Sequence, residues 1–188
     1  MIYVALLRGI NVGGKNKVEM RKLKATFEEA GMSNVATYIN SGNVVFTDNR
    51  RKAPKIASVL EEEIAADLGF EIKVLIRDFP GIKKVTKAIP KNWTNDSTMR
   101  CDVMFLWEGF DRKDILKELT IKPEIEDVLY VPGAVIWRID RTNVRKSRLF
   151  KIIGTDLYRG MTIRNCNTVR KVAEMMETAD KSTSRARK

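Results

Sequence analysis

The sequence predicts an α+β fold of two ferredoxin-like (βαββαβ) subdomains packed together. Apolar strands and amphipathic helices follow in the order β-α-β-β-α-β over residues 1–78. A similar order starts again at Cys101 and suggests a duplication, without a residue-level repeat. The first strand, Ile2–Leu7, is apolar at both alternating sets of positions. Such strands are covered on both faces, and two halves packed together would supply that cover.

Each element has its own local warrant. Glu19–Ala30 reads as a helix because Met20, Leu23, Phe27 and Ala30 recur at helical spacing before Gly31. Val35–Ile39 and Val44–Thr47 read as strands joined by Asn40-Ser41-Gly42-Asn43, a hairpin signal. Pro54–Leu68 repeats apolar residues at Ile56, Leu60, Ile64 and Leu68, and Gly69 ends it. Glu71–Arg77 is a fourth strand. Asp78–Ile89 is a linking helical segment interrupted by Pro80 and Gly81, followed by a polar connection, Pro90–Thr98. In the second half, Cys101–Trp107 is a strand, Arg112–Leu119 a helix, and Asp127–Val131 and Ala134–Ile139 a hairpin around Pro132-Gly133. Ser147–Ile153 reads as a helix, Met161–Arg164 as a short strand and Asn165–Met176 as the last helix. The domain reading is a ferredoxin-like subdomain at 1–78, a second α+β subdomain of similar order at 79–178, and a disordered basic tail at 179–188.

Composition excludes several chemistries. The 188 residues contain no histidine, which removes Ser-His-Asp and Cys-His catalysis and His-ligated metals. Cys101 and Cys166 lie far apart in sequence, so no CxxC site forms and neither a structural metal nor a disulfide is expected. No segment implies a cofactor. No apolar run reaches membrane-spanning length and the N-terminus reads as a strand, so the expected location is cytoplasmic, without a membrane partner. The net charge of +11 favours anionic partners. Residues 1–80 carry 12 Lys/Arg against 10 Asp/Glu, and residues 81–188 carry 23 against 14.

The candidate site is the loop after the first strand. Arg8, Asn11, Gly13, Gly14 and Lys15 combine cations with glycines, which let backbone N–H groups face an anion. Reading strands 1 and 2 with parallel neighbours brings this loop to the same sheet edge as the Asn40-Ser41-Gly42-Asn43 turn. Asn40, Ser41 and Asn43 therefore join the candidate ligand set, although a hairpin turn alone would favour the same residues. Gly9 to Lys15 fits the GxxxxGK part of a phosphate-binding loop, but Asn16 stands where Ser or Thr would hold magnesium. The helix also begins several residues too late, and the following strands form a hairpin, so an NTPase site is disfavoured. A second candidate cluster is Arg164, Asn165, Asn167 and Thr168 at the start of the last helix, an anion site or a simple cap.

RNA-recognition domains share the βαββαβ order. Their third strand needs exposed aromatics, yet Asn43 and Val45 stand at those positions and only Tyr3 offers a ring. Nucleic acid stays open as a partner through the basic stretch Arg138–Lys171, which holds ten cations against Asp140 and Asp156.

LLRGINVGGKNKVEM, YINSGNVVF and TIRNCNTVRK, in this order, resemble a widespread bacterial family catalogued as domain of unknown function family 1697. The resemblance covers the chain except its tail. It implies a compact α+β protein with two ferredoxin-like subdomains, and no established reaction or ligand. Members typically carry an aromatic between the two asparagines of the last motif, where this chain has Cys166, so no stacking contact is implied here. The functional expectation is binding of a phosphorylated or other anionic small molecule through the Gly-rich loop. The alternatives are a nucleic-acid-binding protein using the basic second half, or a protein-interaction module without its own ligand. No catalytic residue is identified, because no paired carboxylates lie near the loop. Oligomeric state is not legible.

Overall fold

Two four-stranded antiparallel sheets organise the α+β chain. The computed structural model describes residues 1–12 and 16–185; Gly13, Gly14 and Lys15 of the candidate site, and Ala186–Lys188 of the expected tail, lie outside the described residues. One unit comprises Met1–Pro80 together with the chain from Val172, and the other comprises Gly81–Lys171. The sequence reading divides the chain just before this point and keeps residues 172–178 in the second subdomain. Periodicity marks a helix but not the unit its far end joins.

In unit 1, β1 (Ile2–Leu7), α1 (Met20–Glu29), β2 (Ser33–Tyr38), β3 (Asn43–Thr47), α2 (Ala53–Leu68) and β4 (Val74–Asp78) follow in that order. The sheet order is β2-β3-β1-β4. β1 pairs antiparallel with both β3 and β4, which corrects the expected parallel neighbours. β2 runs in the same direction as β1, because each is antiparallel to β3 between them. The ends of β1 and β2 therefore point the same way.

Apolar spacing decides which helix faces are buried. Leu23 and Phe27 of α1, and Ile56, Leu60 and Ile64 of α2, pack on Tyr3, Ala5, Leu7 and Phe46. The rings of Phe27 and Phe46 meet edge to face at 5.6 Å. Burying each such side chain contributes about 1.5–3 kcal/mol. Ile2, Val4 and Leu6, on the opposite face of β1, are buried as well. Pro54 sits in the first turn of α2, where its missing N–H costs no helical bond, and Gly69 closes the helix at φ 76°.

α3 (Phe79–Ala88) follows β4 directly. Pro80 and Gly81 fall in its first turn, so they start the helix and do not interrupt it. Unit 2 then runs β5 (Met99–Leu106), β6 (Glu126–Val131), β7 (Ala134–Asp140), α4 (Asp156–Arg159) and β8 (Met161–Asn165), before α5 (Cys166–Arg185). Its sheet order is β6-β7-β5-β8. The helices expected at 112–119 and 147–153 are 3-10 turns, Lys113–Glu118 and Leu149–Ile152, and further such turns span Glu108–Phe110 and Arg141–Lys146. Segments this short cannot offset the cost of nucleating an α-helix. They still bring Ile115, Leu149 and Ile152 to a core centred on Trp137.

The sequence reading passed over α4, whose start is capped by Thr155 Oγ1 accepting from Tyr158 N at 3.3 Å. α5 continues through 179–185, where the sequence reading placed the start of a disordered tail. No described helix is long and apolar enough to cross a membrane.

Candidate functional site

The loop after β1 and the turn after β2 meet at one end of the first sheet. Leu7 N donates to Gly42 O at 2.9 Å, joining the end of β1 to the turn. Gly42 is required there. Its φ is +70°, and a Cβ would lie 2.8 Å from Ile10 Cδ1 and from Leu7 Cβ. Asn11 makes the second junction. Its φ of 54° is left-handed, a region asparagine tolerates better than most residues. Its Nδ2 donates to Val18 O at 2.9 Å and to Asn40 O at 2.8 Å, and its Oδ1 accepts from Val18 N at 2.8 Å. One side chain thus closes the loop on itself and pins it to the turn.

Asn43 is fully buried, and its Nδ2 donates to Tyr38 O at 3.1 Å and to Ser41 Oγ at 3.0 Å. Three of the predicted ligand residues, Asn11, Ser41 and Asn43, are therefore part of the frame. Arg8 is half-buried, and its backbone N–H donates to Lys73 O at 3.0 Å. Gly13, Gly14 and Lys15 lie outside the described residues.

Against this frame lies a hollow of about 910 Å³. Asn11 and Asn40 form one wall. Lys17, Glu19, Met20 and Arg21 form another, at the start of α1. Glu19 holds the N-cap position, but its side chain makes no capping bond. The first intrahelical bond is Leu23 N to Glu19 O at 3.0 Å. The early N–H groups of α1 and two cations thus flank one open volume, which suits negative charge. Arg21 is a residue the sequence reading missed, and Lys17 one it saw as a flanking cation of the loop without placing it in the ligand set. Their signal was a pair of cations four apart across the predicted helix start. Glu19 is the one carboxylate lining the hollow among the described residues, so the arrangement offers binding and no acid–base pair.

The second predicted cluster builds the junction of β8 and α5. Asn165 Oδ1 accepts from Thr168 N at 2.8 Å, capping the helix. Asn167 Nδ2 donates to Asn95 O at 2.9 Å. Arg164 is buried, with Nη1 donating to Thr162 Oγ1 at 3.0 Å and to Ile163 O at 2.8 Å. Burial pulls its guanidinium down to about 10. Thr168 is also buried.

Three further arginines of the basic stretch bond within their own unit. Arg138 pairs with Asp127 at 3.0 Å and with Asp140 at 2.5 Å. Arg141 donates to Asp96 O at 2.9 Å. Arg170 donates to Trp93 O at 2.8 Å and to Pro90 O at 3.0 Å. Sequence alone gives no way to separate such bonded arginines from the unengaged cations of a solvated basic face.

The family model described as "Protein of unknown function (DUF1697)" matches residues 1–137. The solved structure of the conserved bacterial protein SP0830 from Streptococcus pneumoniae is similar to this chain, with 30% sequence identity and a TM-score of 0.78. The match covers 93% of this chain and 98% of that one. No curated protein matches. With a family model spanning well over half of its length, the chain belongs to the bacterial family of unknown function DUF1697.

Proposed function

We propose that unit 1 binds a phosphorylated or otherwise anionic small molecule between the β1–α1 loop, the β2–β3 turn and the first turn of α1. The observation that carries this reading is the hollow of about 910 Å³, where Lys17 and Arg21 flank the uncapped start of α1. Backbone N–H groups and cations together favour phosphate or carboxylate. Lys15 adds a further cation to the same loop in sequence. Each charge-assisted contact contributes about 1.5–3 kcal/mol. The fixed Asn11–Asn40 junction keeps the wall in place before ligand arrives, so little ordering cost falls on binding. Each unit also reads as ferredoxin-like, supported by the matching strand orders. On that reading the hollow lies where strand ends and a helix start converge. A cytoplasmic location accords with this small-molecule role.

The test is thermal shift of the full chain against inorganic phosphate, sugar phosphates, nucleotides and carboxylates, followed by titration of the best binder. Replacing Arg21 or Lys17 by Ala is expected to weaken that binder by about tenfold or more, the equivalent of one charged contact. No shift from any anion, or unchanged affinity in both variants, overturns the reading.

A further inference from the structure

Cys101 and Cys166 are neighbours in space, although distant in sequence. The pairing of β5 with β8 ends at Asp102 opposite Asn165, so Cys101 and Cys166 are the next positions out. Directly opposed antiparallel residues have Cα atoms about 4.5–5.5 Å apart, within the span a disulfide bridges. The two thiols lie close enough for each to shift the other's ionisation. Both are fully buried. The irregular, partly exposed connection 90–98 also reaches Cys166. Trp93 O is 3.8 Å from Cys166 Sγ. Arg170, donating to Trp93 O and Pro90 O, and Asn167, donating to Asn95 O, help hold this connection to α5. Arg170 Nη1 also lies 3.7 Å from Cys166 Sγ.

We propose that Cys101 and Cys166 form a reversible dithiol–disulfide site, oxidised by hydrogen peroxide when the 90–98 connection lifts from the first turn of α5. Cys166 is the attacking sulfur. The adjoining Cys101 thiol and the neighbouring Arg170 draw its thiol down against the opposing effect of burial, while the adjoining Cys166 and burial push Cys101 up. The Cys166 thiolate attacks one peroxide oxygen, the O–O bond breaks, and hydroxide leaves and is protonated to water. Cys166 is then a sulfenic acid. Cys101 attacks that sulfur, the S–S bond forms, and the hydroxyl departs as a second water with the Cys101 proton. Two thiols are oxidised and one peroxide is reduced to two waters. A disulfide of this kind acts as a sensor more than as a staple, since a reductant restores the dithiol. The site is separate in its residues from the anion-binding reading and stands without it.

The test exposes the full chain to hydrogen peroxide, quenches it, denatures it, alkylates it with N-ethylmaleimide and measures intact mass. The expected product has lost two hydrogens and takes up no maleimide, and dithiothreitol restores both alkylation sites. In Cys101→Ser, dimedone is expected to trap a sulfenic acid at Cys166. Asn167→Ala, which removes one of the bonds holding the connection, should speed disulfide formation about two- to tenfold, the effect of one lost hydrogen bond on opening. Two maleimides per peroxide-treated wild-type chain, or a disulfide only between chains, overturns the proposal. A rate unchanged in Asn167→Ala overturns the gating by the connection.

Discussion

The two units share a strand order but not the means of crossing between strands. In unit 1, β1 connects to β2 through the 10-residue α1, and β3 to β4 through the 16-residue α2. In unit 2, the counterpart connections are 3-10 turns and the 4-residue α4. Sheet order therefore follows from strands and hairpins, and the connections need only deliver a few apolar anchors. α1 delivers Leu23 and Phe27, while the turn Lys113–Glu118 delivers Ile115. Unit 2 fills the remaining volume with Trp137, whose Nε1 donates to buried Glu126 at 3.3 Å. The helix starts differ too. That of α1 is uncapped and faces the hollow, whereas that of α5 is capped by Asn165 and held against Asn95 and Trp93 by its own side chains.

If Trp137 stands in for helices in unit 2, its loss should be the most damaging change. Trp137→Ala is expected to cost about 3–5 kcal/mol, read from urea midpoints. A loss below about 1 kcal/mol would mean that the short turns, not the indole, organise this core.

The next effect separates the units by pH. Burial pushes the Asp48 carboxyl up, but the N–H groups of Arg50 and Arg51 and the Arg51 guanidinium together hold it below the usual range. Its contribution is full above the unfolded-state value and is lost as pH falls through the folded one. Burial pushes Asp102 up, beyond what Arg100 counteracts. Its contribution is full below the unfolded-state value and is lost as pH rises through the folded one. Asp48→Asn should cost about 1.5–3 kcal/mol near neutral pH and much less in acid. Asp102→Asn should instead relieve the loss incurred on going from acid to neutral pH. Parallel stability–pH curves for both variants and the wild type would defeat this contrast.

Smaller effects sharpen the comparison of the two junctions. Asn11→Ala removes the clamp between loop and turn and should cost about 1–3 kcal/mol, while also loosening any anion bound in the hollow. Asn165→Ala removes only a helix cap and should cost about 1 kcal/mol. Equal losses in thermal melts would place the two asparagines in equivalent roles.

The strands and hairpins were legible because their signals are local. Asn40-Ser41-Gly42-Asn43 and Pro132-Gly133 mark their turns directly. The 3-10 turns were not, because Ile115 and Leu119 keep helical spacing over a segment too short to hold an α-helix. The meeting of loop and turn follows from element order, although β1 has no parallel neighbour and the shared direction of β1 and β2 supplies the reason. The clamping role of Asn11 was illegible, since a ligand contact and a backbone clamp both ask for an amide. The proximity of Cys101 and Cys166 depends on the register of β5 and β8, which no local pattern specifies.

Asn11 and Val18 make the chain leave and re-enter the frame at one fixed doorway. Whatever lies between them is a cassette whose ends are already joined. Asn16 belongs to the doorway as well, since its carbonyl accepts from Asn11 N at 3.1 Å and its Nδ2 donates to Gly9 O at 3.2 Å. A protein engineer seeking a new binding preference in this scaffold would graft there, keep Asn11, Asn16 and Val18, and leave the rest of the fold untouched.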